Sequence, residues 1–276
     1  MKLALCNEVI AEGRDFAAQC ALAAALGYHG LEVAPFTLGD EPHKLPNARI
    51  AEIHHIASDA GIRISGLHWL LLRPQGLSVT SDDPCVRVRT RDVMYRLVDL
   101  CAALGGDVLV HGSPAQRRLP EGDTATARGH ALEIFAAIAE HAERAGVVYC
   151  IEPLAAPLAN YINTLEEAAA LVAAVKNPAF RSMIDCSAAV QMEAEPLAAL
   201  VARWLPQGLV AHIQVNDRNK RGPGQGEDRF AALFAALLRM DYRGWIAVEP
   251  FDYQPDGATC AARAIGYMQG LIEAQR

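Results

Sequence analysis

The chain has 276 residues, 52% of them hydrophobic, and its 25 Lys+Arg against 32 Asp+Glu leave a formal net charge of -7. Such a length can bury a large core, suited to two small domains or to one α/β barrel, and the acidic balance offers no footprint for gripping a nucleic-acid backbone. The apolar run after Lys2 is broken at Asn7 and Glu8, too early for a signal peptide, and no other run approaches the ~18 residues of a membrane span. A cytoplasmic protein with neither nucleic acid nor membrane as partner is expected.

From the N-terminus onward, short β-type runs alternate with longer Ala/Leu-rich segments of helical period. The first strand is expected over 2–6 with a helix over 14–27, followed by 30–34 with 47–61, 63–69 with 86–104, and 107–111 with 123–145. The second half repeats the pattern with 147–152 and 164–176, 181–185 and 195–205, 209–215 and 228–240, and 245–249 and 257–274. Eight of each in strict alternation, without a linker, predict a single (β/α)8 TIM barrel over residues 1–276, with a doubly wound open sheet as the rival. Gly27, Gly61, Gly105–Gly106, Gly146 and Gly208 stand where helices end, as C′ glycines do. The first βα turn has no GxGxxG, so the dinucleotide reading of an open sheet lacks support. Seven scattered cysteines with no CxxC fit small core residues better than a disulfide framework or a zinc site.

Barrel chemistry lies at the C-terminal ends of the strands, and those ends are polar here: Glu32, His68, His111, Glu152, Asp185, His212 with Gln214, and Glu249. Glu152, Asp185 and Glu249 close almost uncharged runs. Taken singly, each reads equally as a surface acid. Three carboxylates converging at one mouth repel in low dielectric, so either their pKa values rise or a cation neutralises them, and a divalent cation is the simpler resolution. With an amide oxygen they make a hard donor set suited to Mn2+ or Mg2+, with Co2+ and Zn2+ as alternatives. In the stretch 209–226, LVAHIQVNDRNKRGPGQG, period 2 puts Val210, His212, Gln214 and Asn216 on one face. Gln214 lies about 6–7 Å nearer the catalytic end than His212 at ~3.3 Å per residue, which makes Gln214 the expected ligand and His212 the alternative.

Around these, His68 and His111 are placed to bind substrate oxygens or to serve as satisfied core histidines, and Glu32 to orient one of them. Trp69 and Trp245 fit core packing or an apolar wall, and His54 and His55 fall on a solvent-facing helix. Arg218, Lys220 and Arg221 follow the seventh strand, where one cation could grip a hydroxyl, carboxylate or phosphate while the others stay solvated.

The order of these features resembles the xylose isomerase-like TIM barrels, and within them the sugar phosphate isomerase/epimerase group that includes hydroxypyruvate isomerase and the ketose 3-epimerases. The resemblance rests on Glu152 ending the fifth strand, Asp185 after the sixth, His212-x-Gln214 on the seventh leading to Asn219-Lys220-Arg221-Gly222-Pro223-Gly224-Gln225-Gly226, and Gly244-Trp245 before Val248-Glu249. It implies a divalent metal on Glu152, Asp185, Gln214 and Glu249, with Glu152 and Glu249 as the acid/base pair. It also implies a small sugar, sugar derivative or hydroxy-keto acid as substrate, and a homodimer or homotetramer. In such chemistry the carbonyl and neighbouring hydroxyl chelate the cation, which acidifies the C–H between them and stabilises a cis-enediolate. One glutamate takes the proton and a second group returns it. A leaving group beside the enediolate would make the same platform a dehydratase or lyase, and a catalytically silent sugar-binding barrel is the remaining alternative. Ala188 stands where many relatives have a histidine, and Ala155-Ala156-Pro157-Leu158 where ketose 3-epimerases have a further glutamate. Gln214 matches the hydroxypyruvate isomerase type rather than the ketose 3-epimerases, which usually have histidine there. Two substrate-contacting groups of such relatives are therefore missing, so the resemblance singles out no particular free ketose.

Overall fold

A computed structural model describes residues 1–275 of the chain. Eight parallel strands run in sequential order: β1 Lys2–Cys6, β2 Gly30–Val33, β3 Arg63–Leu67, β4 Val108–His111, β5 Val148–Ile151, β6 Phe180–Asp185, β7 Val210–Val215 and β8 Trp245–Val248. They close into a (β/α)8 barrel through β1 against β8, where Leu5 lies opposite Val248, and this pairing excludes the open sheet.

The helices between and after them are α1 Phe16–Leu26, α2 Asn47–Asp59, α3 Pro84–Ala103, α4 Thr124–Ala145, α5 Leu165–Val175, α6 Cys186–Met192, α7 Leu197–Trp204, α8 Ala231–Arg239 and α9 Gly257–Glu273. The helix starts follow from capping chemistry: Asp15, Asp83, Asp123, Thr164 and Asp256 each accept a first-turn backbone N–H. Gly27 and Gly146 end α1 and α4 in the left-handed region at φ 93° and 73°, as their positions predict. The short α6 is an addition to the expected pattern. It begins directly after β6 because the Asp185 side chain caps it, so no linker announces it.

The main core lies between the strands and the helix layer, with Leu31, Leu67, Phe135, Phe180 and Phe234 fully buried in it. Inside the barrel Val110, Cys150 and Met183 form a smaller apolar plug. Six cysteines are buried and unpaired, and Cys85 is exposed. His54 and His55 are exposed, as expected. Among the described residues no helix is long and apolar enough to cross a membrane.

At the N-terminal end of the barrel, Asp107 ties together three strands. Its carboxylate accepts from Trp245 Nε1 at 2.6 Å and Lys2 Nζ at 3.0 Å, with Arg63 Nη2 at 3.5 Å. Burial alone would raise the Asp107 pKa, but the Trp245 and Lys2 hydrogen bonds outweigh it and hold the group below the usual aspartate value. The folded pKa is therefore the depressed one, so this clamp stabilises fully above the unfolded value and is lost as pH falls through the folded one. The group is half-exposed, which limits its worth to roughly 1 kcal/mol. Asp107→Asn should lower stability by about that much at pH 7 and flatten the acid limb of the unfolding curve; an acid limb identical to wild type would show the clamp to be idle.

Candidate active site

At the opposite end, β5, β6 and β8 deliver Glu152, Asp185 and Glu249 to one spot. One carboxylate oxygen from each lies within 4.8 Å of the other two, and all three side chains are buried. Strand register explains the meeting: Asp185 pairs with Gln214, which pairs with Ala247, placing Glu249 on the same face and one pleat higher. Burial is the main reason that all three pKa values rise, Asp185 to about 6 and Glu249 to about 8, while Glu152 is pushed well up with its two neighbours adding to the effect.

The three acids are held differently. Asp185 Oδ1 accepts from Ala188 N at 2.7 Å, at the start of α6, and Oδ2 accepts from Asn216 Nδ2, also at 2.7 Å. Asn216 in turn donates to the Glu249 carbonyl and accepts from Ser187 N, so one amide joins β7, α6 and the end of β8. Asn216 shares the period-2 face of His212 and Gln214, a signal already present in the sequence. Glu249 Oε1 sits 3.0 Å from His68 Nδ1, and His68 Nε2 is 3.0 Å from Glu8 Oε2, with the Cys6 sulfur 3.9 Å from Nδ1. Burial favours a neutral His68 ring, but the Cys6 sulfur and the Glu8 and Glu249 carboxylates raise its pKa well above that of an ordinary imidazole.

Beneath this layer Glu32 receives Gln214 Nε2 at 2.8 Å and lies 2.6 Å from His212 Nε2, the latter contact being close but out of line for a hydrogen bond. Burial would raise the Glu32 pKa, yet His212, with His68 and Gln214, brings it below the usual value. Because the Glu32 carboxylate only accepts, the Gln214 amide must turn its nitrogen toward it. The other atom, Gln214 Oε1, is buried without a partner. Glu32 thus positions His212 and Gln214 rather than His68 or His111.

Two further residues shape the site. Arg117, fully buried, donates Nη1 to the Glu152 carbonyl at 2.6 Å and to the His111 carbonyl at 3.4 Å, and Nη2 to the Ile162 carbonyl at 3.4 Å. Burial lowers its pKa to about 10, partly offset by Glu152, so it remains a cation at neutral pH. Gly112 leaves space for Glu152: a Cβ there would stand 2.0 Å from Glu152 Oε2. Neither residue is foreshadowed by any local sequence pattern.

The remaining expected residues are not all brought here. His111 points the other way, its Nδ1 bonded to Tyr149 Oη at 2.7 Å and its ring edge-on to Phe135 at 5.3 Å; burial, then Arg117, depresses its pKa to about 3. Arg218 is paired with Asp228, and Lys220 is exposed on a turn with φ 68°; neither lines the cavity above the carboxylates. His212 lies one layer down against Glu32, while Gln214 occupies the register beside Asp185.

Three buried carboxylates converge here, and on the neighbouring strand the Gln214 amide oxygen is buried without a partner; oxygen donors of this kind fit a hard divalent cation.

The model of the xylose isomerase-like TIM barrel family matches residues 20–271. A probable ketose 3-epimerase of Synechocystis sp. is 25% identical over 193 residues, covering 69% of this chain and 66% of that protein. The D-psicose 3-epimerase of Agrobacterium fabrum is 25% identical over 232 residues, 83% of this chain and 76% of its own length. In three dimensions, the crystal structure of a D-psicose 3-epimerase in the presence of D-fructose superposes with a TM-score of 0.83 at 20% identity, covering 99% of each chain. With a family match over nearly its whole length and a closed barrel carrying its polar groups at the strand ends, the chain belongs to the xylose isomerase-like TIM barrel family.

Proposed function

We propose that the protein is a divalent-metal-dependent isomerase or epimerase of a small sugar, sugar derivative or hydroxy-keto acid, with Glu152 and Glu249 as its acid/base pair. The observation that carries this reading is the convergence of the buried Glu152, Asp185 and Glu249 within 4.8 Å. The ketose 3-epimerases among the relatives support the substrate class. A cation held by Glu152, Asp185, Gln214 Oε1 and Glu249, Mn2+ or Mg2+ by donor type, would supply the positive charge that acidifies the C–H between carbonyl and hydroxyl.

Glu152 and Glu249 line the same cavity from two strands, where each can reach a bound carbon. One carboxylate takes the proton of that carbon as the C–H electron pair moves toward the carbonyl oxygen. The other returns a proton, on the neighbouring carbon for an isomerase or on the opposite face for an epimerase. His68 fixes Glu249, Arg117 fixes the backbone carrying Glu152, and Asn216 fixes Asp185.

Crystals grown with MnCl2 and measured at the manganese edge test the metal assignment. One ion bound by Glu152, Asp185, Gln214 and Glu249 is expected. A peak on Cys6, Glu8 and His68, on His212 with Gln214 turned away, or no peak at all would refute it.

A further inference from the structure

The cavity above the carboxylates has a polar floor and apolar walls. Its polar side chains are His68, Glu152 and Glu249, and the walls are Trp69, Pro114, Leu154, Leu158 and Phe251. Leu158 and Phe251 are 54% and 48% exposed, two of the four large hydrophobic side chains so exposed among the described residues. They are apolar surface left open at a mouth, not core. Trp69 stands edge-on to Phe251 with ring centroids 6.3 Å apart, and its φ of +52° is a conformation a bulky residue adopts only under constraint from its surroundings. The indole is therefore held at the rim.

Three polar side chains near the walls in sequence are occupied by the protein itself. Ser113 Oγ accepts from Leu71 N, Asn160 pairs with both backbone groups of Leu119, and Asn163 donates to the carbonyls of Leu154 and Ala159. Along these walls a substrate reaching outward from the carboxylates meets hydrocarbon and aromatic edges.

Resting on the proton-transfer reading above, we propose that the substrate is an α-hydroxy ketone with an aromatic substituent beyond its reacting end, an aryl glycoside of a keto sugar, and not a free polyhydroxy ketose. Each tail hydroxyl placed against these walls would give up water without a replacement partner, costing roughly tenfold in affinity. An aromatic ring there gains by leaving water and by edge-on contact with Trp69 and Phe251.

Phenyl and methyl glycosides of the same 3-keto-hexose share one reacting head and differ only in the tail. With the manganese-loaded protein, calorimetry should give the phenyl compound a Kd roughly tenfold or more below that of the methyl compound, and KM for deuterium exchange in D2O should move in the same sense. Leu158→Ser and Phe251→Ser should each shrink the phenyl-to-methyl ratio several-fold. Equal binding of the two glycosides, or a ratio that survives both substitutions, overturns this inference and leaves the proton-transfer reading standing. Preferential binding of the phenyl compound with no exchange of either supports the aromatic tail and overturns the proton-transfer reading.

Discussion

Glu152→Gln and Glu249→Gln should each fold normally and lose solvent-hydrogen exchange with substrate by a factor of roughly 10²–10⁴, the range associated with a positioned acid or base. The amide keeps the shape of the carboxyl group and can still offer an oxygen to a cation, so loss of exchange with retained metal separates proton transfer from coordination. Glu152→Gln carries a second signature. The carboxyls of Asp185 and Glu249 lie within 4.8 Å of it, and without metal burial and these neighbours already disfavour its ionised form, so a neutral amide there escapes that cost. Its melting temperature in metal-free buffer should equal or exceed that of wild type, while manganese should stabilise it less than wild type. A Glu152→Gln or Glu249→Gln protein exchanging near the wild-type rate would remove that residue from the acid/base pair.

Arg117→Met is expected to be the most destabilising change near the site. The guanidinium serves the carbonyls of His111, Glu152 and Ile162 in a fully buried setting, so methionine fills the volume and leaves those acceptors unpaired. Unpaired buried groups of this kind cost on the order of 3–5 kcal/mol together, or roughly 10 °C in a chain of this size. Arg117→Lys should recover only part of the loss, because one ammonium cannot reproduce the planar fork that spans separate carbonyls. A melting temperature within about 2 °C of wild type for Arg117→Met would contradict the anchoring role.

The alternation of eight strands and eight helices is legible in the sequence because period 2 and period 3.6 differ over every run and because Gly27 and Gly146 mark helix ends. The convergence of Glu152, Asp185 and Glu249 follows from their place at strand ends of one barrel mouth combined with inward parity. His111 shows where such reading stops. It ends β4 as the others end their strands, yet Val110 and Gly112 hold the inward positions and His111 faces Phe135. In a parallel sheet both faces are apolar, so the inward parity of β4 carries no mark in its composition.

Arg117 is illegible for a different reason: it ends a single 3-10 turn, Ala115–Arg117, and acts on backbone carbonyls up to 45 residues away in sequence, which no spacing encodes. Glu8 carries no strand-end signal because β1 ends in Cys6, and the acid that reaches His68 comes two residues later. The hydrogen bonds of Glu32 to Gln214 and of Asn216 to Asp185 depend on inter-strand register, which β-bulges at Leu31/Glu32 and Ser182/Met183 shift.

Deuterium wash-in tests proton transfer most directly. Manganese-loaded protein incubated in D2O with ketoses, hydroxypyruvate and 3-keto sugars, followed by NMR, should place deuterium on the carbon next to the carbonyl of at least one compound and yield its isomer or epimer. Loss of water or of a fragment would place the protein among lyases, and binding without exchange on any compound would contradict the assignment of Glu152 and Glu249 as a proton-transferring pair.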